Sequence, residues 1–121
     1  MADRFMTKGR IVLVPFPFDD MTASKVRPAV CLTDPVGPHR HVVVAFISSQ
    51  IPADVAATDV VLDPQRKDFG ATGLRVASVL RLHRLVTLTT ALIRRDMGKL
   101  SQAWQQEVDR KLAVLFGLKG S

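Results

Sequence analysis

Residues 9–18 have the sequence GRIVLVPFPF, in which a β-branched run lies between a glycine and two prolines. This pattern predicts a first strand at 11–14. Proline cannot donate a ladder hydrogen bond, so the residues after the strand lie at a sheet edge or leave the sheet. Outward from this stretch, further short apolar runs predict strands at 28–33, 41–48, 59–62 and 75–82, with 85–88 extending or following the last of them.

The chain ends in a sequence typical of an amphipathic helix. Ser101 is a suitable N-cap and Gly117 a suitable stop. Between them, apolar residues recur at helical spacing at Trp104, Val108, Leu112, Leu115 and Phe116. The strand at 41–48 is nearly all apolar, which predicts burial on both of its faces. Several short strands and one helix predict a mainly β fold, a small and partly open barrel with the helix packed on it.

Length and composition limit the classes of protein that are possible. The 121 residues, 47% of them apolar, suffice for one modest core, and we expect a single domain over 1–121. Cys31 is the only cysteine, which excludes an internal disulfide and a cysteine-rich zinc site and fits a reducing compartment. We find no apolar N-terminal segment and no stretch that could span a bilayer, and therefore expect a cytoplasmic protein without membrane contacts.

The positive charge of the chain is unevenly distributed. The net charge is +6, and residues 75–99 contain six Arg or Lys against one acid. A basic surface either aids solubility or binds a polyanion, of which nucleic acid is the commonest. The clustering favours the polyanion.

RNA can be cut by its own 2′-hydroxyl, without a metal, if side chains supply a base, donors to the phosphate and an acid. The candidates are Arg27 before the second strand, Ser48 and Ser49 after the third, and Arg81 with His83. Each has a simpler interpretation. Arg27 can be a solvated loop end, the serines can close a turn through nearby backbone, and His83 can be an ordinary surface histidine.

Metal and nucleotide sites are weakly supported. His39 and His41 form a His-x-His pair, but no cysteine or carboxylate cluster accompanies it. Asp19 and Asp20 are typical of a turn cap rather than of a catalytic pair. The chain contains no glycine-rich phosphate motif. We therefore expect no cofactor and no metal.

Five stretches, taken together, resemble the MazF/PemK family of toxins. Residues 9–18 are similar to the family's opening strand, 24–30 (SKVRPAV) to its loop ending in Arg-Pro, and 45–50 (AFISSQ) to its third strand end. Residues 73–88 and 100–118 are similar to its later strands and terminal helix. The resemblance covers residues 8–118. It implies an SH3-like barrel, a homodimer, an antitoxin partner and sequence-selective cleavage of single-stranded RNA to a 2′,3′-cyclic phosphate and a 5′-hydroxyl. A surface of charge +6 would suit an acidic antitoxin.

The resemblance also implies roles for particular residues. Arg27 and Ser48 match the family's catalytic arginine and hydroxyl, and Arg81 and His83 align with an Arg-x-Asp segment that is catalytic in the PemK branch. His83 replaces the aspartate, and since histidine titrates near neutral pH it is a candidate base. We further expect contacts to RNA from Lys25, Ser49, Gln50, Arg84 and Phe16, with 16–26 and 50–59 as the specificity loops.

Two other functions remain open. CcdB-type toxins share the barrel but act on DNA gyrase through their terminal helix. Here residues 115–118 are apolar and are predicted to be core, which, with the Arg-Pro and Ile-Ser-Ser-Gln motifs, favours RNA. A barrel that binds RNA or a peptide without cutting is the third hypothesis.

Overall fold

The computed structural model describes residues 6–16 and 25–119, which form a curled antiparallel sheet and a C-terminal helix. The strands are β1 (Arg10–Pro15), β2 (Val26–Cys31), β3 (His41–Ser48), β4 (Asp59–Leu62), β5 (Ser78–Thr89) and β6 (Arg95–Lys99), and helix α1 spans Gln102–Phe116. Short 3₁₀ helices occupy Lys67–Thr72 and Thr90–Leu92. The strand order is β4-β5-β3-β2-β1-β6, a half-barrel with α1 packed on one face. The predicted fold class is thus confirmed.

The bounds of β3 and β4 agree with those predicted from the sequence, and the bounds of β2 and β5 differ. β3 and β4 occupy the predicted 41–48 and 59–62. β2 begins two residues before the predicted 28–33, because Val26 already pairs with Pro15 of β1.

β5 starts later and runs further than predicted. Ser78, opposite Leu62, is the first residue paired with β4, and the Ser78 hydroxyl donates to the Val76 carbonyl at 2.9 Å. Residues 75–77 therefore belong to the preceding loop, not to the strand. The strand then continues to Thr89 and includes 85–88.

β6 was not predicted, because its sequence RDMGK has no β-branched residue and no apolar alternation. It forms by pairing with β1, and Arg10 makes an ion pair with Asp96 at 2.8 Å. The first 3₁₀ helix lies directly against it. A Cβ at Gly73 would collide with the Met97 carbonyl, so only glycine permits this approach.

The sheet separates two apolar clusters, and β3 supplies both. The cluster under α1 contains Ile11, Val30, Leu32, Ala45, Ile47, Val60, Leu62, Phe69, Leu80, Leu82, Leu100, Trp104 and Val108. The other contains Val12, Val14, Ala29, Cys31, Val42, Val44, Phe46 and Leu88. Burial of β3 on both faces is confirmed. Burial also raises the pKa of the Cys31 thiol to about 11, so the thiol stays protonated and unreactive at neutral pH.

Both ends of α1 are capped as predicted. The Ser101 hydroxyl accepts from the Trp104 N–H at 3.1 Å and donates to the Asp68 carboxylate at 2.6 Å, which lowers the pKa of Asp68. Gly117 closes the helix in the left-handed conformation, with φ 68°. Within the described residues, no helix has the length and apolar character needed to cross a bilayer.

The final turn of α1 corrects the prediction that residues 115–118 are core. Leu115 packs against the cluster under the helix, but Phe116 is 58% and Leu118 65% exposed. Successive helical residues are rotated by about 100°, so Phe116 points away from the buried stripe that ends at Leu115. One of the two arguments against a gyrase-directed toxin is therefore lost.

Candidate functional site

A pocket of about 300 Å³ opens where the ends of β2 and β3 meet β5. Seven of the nine side chains predicted to act on RNA line it, and Lys25 and His83 do not. The lining comprises Phe16, Arg27, Pro28, Phe46, Ile47, Ser48, Ser49, Gln50, Leu74, Arg75, Val76, Ser78, Arg81 and Arg84.

Strand register brings Arg27 and Ser48 together. Ala29 of β2 lies opposite Phe46 of β3, and Arg27 and Ser48 each lie two residues beyond this pair, toward the same end of the antiparallel strands. Side chains two positions apart share a face of the sheet. The guanidinium and the hydroxyl therefore reach one pocket from separate strands, which is the geometry that joint action on one phosphate requires.

Ser48 also closes the turn that follows β3. Its Oγ accepts from the Gln50 N–H at 3.0 Å, and the contact from Oγ to the Gln50 carbonyl is a long 3.4 Å. The turn interpretation of this serine is thus correct, but it does not remove the hydroxyl from the pocket. The turn fixes Oγ at the rim, where the hydroxyl donates to the Gln50 carbonyl over a long 3.4 Å that a ligand oxygen can replace.

A large bulge in β5 decides which of its side chains enter the pocket. Ala45 of β3 pairs with Leu85 and Ile47 pairs with Leu80, so Phe46 alone faces four residues, 81–84, on β5. Bulges bend a strand and redirect its side chains. Arg81 and Arg84 line the pocket, Leu82 enters the core, and the His83 side chain is exposed to solvent.

A buried carboxylate holds Arg81. The Asp59 side chain is 0% exposed, and its Oδ1 lies 3.2 Å from Nε of Arg81, directly across from it on the neighbouring strand. The other oxygen, Oδ2, accepts from the Ala56 N–H at 2.9 Å. Asp59 was not predicted as a site residue, because a single acid at the start of a strand carries no signal that it is buried.

An aromatic ring lies beside two other arginines. The guanidinium carbons of Arg27 and Arg84 lie 5.3 and 5.7 Å from the centre of the Phe16 ring. Phe46 meets the same ring edge to face at 4.9 Å. Cations at these distances are attracted to the ring face. This side of the pocket therefore combines positive charge with an apolar surface.

The pocket is strongly cationic. Arg27, Arg75, Arg81 and Arg84 line it, and no Asp or Glu is among its described lining residues. Arg75 belongs to the basic segment noted in the sequence but was predicted to lie in a strand, and Leu74 and Val76 were not predicted as residues of the site. The arrangement suits an anion with an attached flat or apolar group, since planar guanidinium groups bind phosphate in pairs of hydrogen bonds.

The described residues contain no cluster of metal-ligating side chains. In residues 6–16 and 25–119, no three His, Cys, Asp or Glu side chains are placed to hold an ion. The rings of His39 and His41 lie 5.8 Å apart, and neither lines the pocket.

Two predicted residues lie outside the pocket. The Lys25 side chain is exposed, although its carbonyl accepts from the Phe16 N–H at 3.3 Å. His83 is turned to solvent by the bulge, so no geometric observation supports its predicted role as a base. Asp19, Asp20 and most of the predicted loop at 16–26 lie outside the described residues.

Comparison with known proteins identifies the family. The family described as PemK-like, MazF-like toxin of type II toxin-antitoxin system matches residues 7–116. No curated protein sequence matches the chain significantly.

Solved structures share the fold at low sequence identity. The Mycobacterium tuberculosis toxin MazF-mt6 has a TM-score of 0.68 at 22% identity, covering 92% of this chain and 99% of that one. MazE-MazF from Deinococcus radiodurans has a TM-score of 0.67 at 18% sequence identity, covering 95% of this chain and 99% of that one. An endoribonuclease in complex with its cognate antitoxin from a Mycobacterial species has a TM-score of 0.65 at 14% sequence identity, covering 94% of this chain and 97% of that one. Since the family match spans nearly the whole chain, the protein belongs to the PemK-like, MazF-like toxins of type II toxin–antitoxin systems.

Proposed function

We propose that this toxin is an endoribonuclease that cleaves single-stranded RNA at the arginine-lined pocket, without a metal ion. One observation carries the proposal: Arg27 and Ser48, the residues matching the family's catalytic pair, line the same pocket from different strands. The described lining contains four arginines and no carboxylate, so it favours a phosphodiester over a neutral or cationic ligand.

The proposed reaction needs no co-reactant. The ribose 2′-oxygen attacks the adjacent phosphorus, its proton passes to solvent, and the bond from phosphorus to the 5′-oxygen breaks. The leaving 5′-oxygen takes up a proton, and the products are a 2′,3′-cyclic phosphate and a 5′-hydroxyl. Negative charge accumulates on the phosphorane oxygens and on the leaving oxygen, so donors aimed at these atoms lower the barrier.

The seven predicted residues that line the pocket each have a part in this scheme. Arg27 stabilises the phosphorane charge and donates to the leaving oxygen, and the Ser48 hydroxyl donates to a non-bridging oxygen. Arg81 and Arg84 hold the phosphate, and the Phe16 ring packs against a neighbouring base. Ser49 and Gln50 present polar groups at the rim, where they hydrogen-bond base edges. Lys25, which is exposed outside the pocket, attracts the flanking phosphates.

The proposal extends to partners. Two of the structural neighbours are described as toxin–antitoxin complexes, one of MazE with MazF and one of an endoribonuclease with its cognate antitoxin. We propose an acidic antitoxin that neutralises the +6 charge of this chain, and a cytoplasmic homodimer as the active form.

The test is cleavage of mixed-sequence single-stranded RNA by the purified protein in EDTA. We expect fragments with cyclic phosphate ends, and Arg27→Ala should lower kcat/KM by about 1000-fold, the cost of losing a donor to transition-state charge. Arg110→Ala removes the same charge from an exposed position on α1 and should cleave like the parent. Sequencing the fragment ends would reveal the recognised bases.

Other outcomes would assign a different function. Intact RNA in EDTA, together with growth inhibition that Arg27→Ala does not relieve, contradicts the nuclease. Inhibition of gyrase supercoiling by the same preparation would then indicate a gyrase-directed toxin. RNA binding with no product at any pH would indicate a non-catalytic barrel.

A further inference from the structure

We infer that Asp59 is a positioning residue that aims Arg81 at the bound phosphate, an inference that rests on the proposed ribonuclease function. Asp59 lies outside the pocket lining, on β4, and reaches the pocket only through Arg81. The two residues are directly opposite on the antiparallel strands β4 and β5.

The geometry of the ion pair leaves the functional end of Arg81 exposed. Asp59 Oδ1 engages Nε at 3.2 Å, on the inner edge of the guanidinium. Among the described residues, the two terminal nitrogens of Arg81 have no protein partner, and its side chain is 26% exposed, whereas Asp59 is 0% exposed. The Asp59 carboxylate, bonded to Nε, thus fixes the plane of the Arg81 guanidinium and leaves its two terminal nitrogens to donate to an anion.

Asp59 is itself held from two sides. Its Oδ2 accepts from the Ala56 N–H at 2.9 Å, and its own N–H donates to the Ala56 carbonyl at 3.0 Å, which closes the loop before β4. From α1, Lys111 Nζ donates to the Asp59 carbonyl at 2.7 Å and pairs with Glu107 at 2.9 Å. A rotationally fixed carboxylate can fix the arginine in turn, because flexible side chains lose orientation unless a supporting group is itself rigid.

The unfavourable free energy of burying the Asp59 carboxylate also supports a positioning role. Burying a carboxylate is unfavourable, and apolar pairs that replace buried ion pairs in proteins are often as stable or more stable. Because the side chain of Arg81 ends in the pocket, a buried carboxylate at Asp59 can orient it there. The same anchor binds the loop before β4, which contains part of the predicted specificity loop 50–59, so loop and arginine hold one relative position.

The test compares Asp59→Asn with Asp63→Asn, a matched control. Asp63 lies just beyond β4, and among the described residues its carboxylate accepts from the Gln65 N–H and not from Arg81. The Asp63→Asn variant therefore has the same net charge as Asp59→Asn but an undisturbed Arg81. For Asp59→Asn we expect kcat to fall by about 100-fold, the cost of a misplaced catalytic group. Its Kd for RNA should stay within about 2-fold of the parent or tighten, since a negative charge is lost and the arginine charge remains.

A double-mutant cycle separates positioning from a general structural role. In an Arg81→Gln background, or in Arg81→Met if the former does not fold, Asp59→Asn should lower kcat by less than about 3-fold, because its effect acts through Arg81. An equal loss in both backgrounds, or a parallel loss of RNA binding in Asp59→Asn alone, overturns the inference.

An NMR measurement gives a readout that does not depend on cleavage. In ¹⁵N-labelled protein, the Arg81 Nε–H should exchange slowly with solvent because it is bonded to a buried carboxylate, and Asp59→Asn should abolish this protection while Asp63→Asn preserves it. If the parent cuts no RNA, the proposed function fails and this signal still tests the pair. Rapid exchange in the parent would refute the positioning role, whatever the protein cleaves.

Discussion

The pocket holds its arginines differently on its two sides. On the β4 side, Arg81 is bonded through Nε to a fully buried carboxylate. On the β1 side, Arg27 and Arg84 lie by the Phe16 ring, which carries no charge. A carboxylate gives its arginine a directional bond, whereas an aromatic ring attracts a cation with less directional preference and adds an apolar surface. The β4 side thus favours precise aim of its arginine, and the β1 side favours a ligand with a flat or apolar group.

The largest expected contrast is in stability. Arg81→Ala leaves the buried Asp59 without its charge partner, and we expect the free energy of unfolding to fall by about 3 kcal/mol. Arg84→Ala, on the aromatic side, removes a contact to a ring and not the partner of a buried carboxylate, and it should cost less than Arg81→Ala. Urea denaturation measures both.

A second pair of variants checks the cause of that difference. Replacing both partners, as in Asp59→Asn with Arg81→Gln, should recover at least half of the stability lost in Arg81→Ala, because no buried charge remains unpaired. If the double variant is less stable than Arg81→Ala, the carboxylate is not the origin of the loss and the contrast between the two sides fails.

A smaller effect is expected from the aromatic side. Phe16→Leu keeps an apolar side chain but removes the ring face, and we expect the affinity for single-stranded RNA to weaken by about 10-fold, within the range for one base–aromatic stack. Phe116→Leu makes the same exchange at an exposed site on α1 and should bind like the parent. Fluorescence anisotropy with a labelled oligonucleotide would show whether the two variants differ, and equal affinities would remove the ring from the site.

The smallest effect concerns the residue between the two pocket arginines of β5. We expect His83→Ala to keep kcat/KM within about 3-fold and to leave the shape of its pH profile unchanged, since an exposed side chain outside the pocket cannot reach the reacting hydroxyl. If the pH dependence of kcat/KM in His83→Ala lacks an ionisation that the parent shows, His83 is the general base. The bulge must then rearrange when RNA binds.

Local sequence pattern was sufficient to predict much of the fold, and family resemblance added two residues of the site. The apolar runs of β3 and β4 predicted their bounds, and Ser101 and Gly117 predicted the helix ends, because strand alternation and capping act over a few residues. Family resemblance indicated Arg27 and Ser48 as site residues. β6 escaped prediction because pairing with β1 and contact with Gly73 hold it in place, and neither partner is close in sequence.

By itself, the sequence determined a basic chain with short strands, a capped C-terminal helix and the residue types that phosphate chemistry requires. Tertiary structure alone decided which of those residues meet. The bulge in β5 turns His83 to solvent and Arg81 and Arg84 into the pocket, and a cross-strand contact converts the unremarked Asp59 into the partner of Arg81. The physical reason is that side-chain direction depends on strand register, and register is set by pairing with strands distant in the chain.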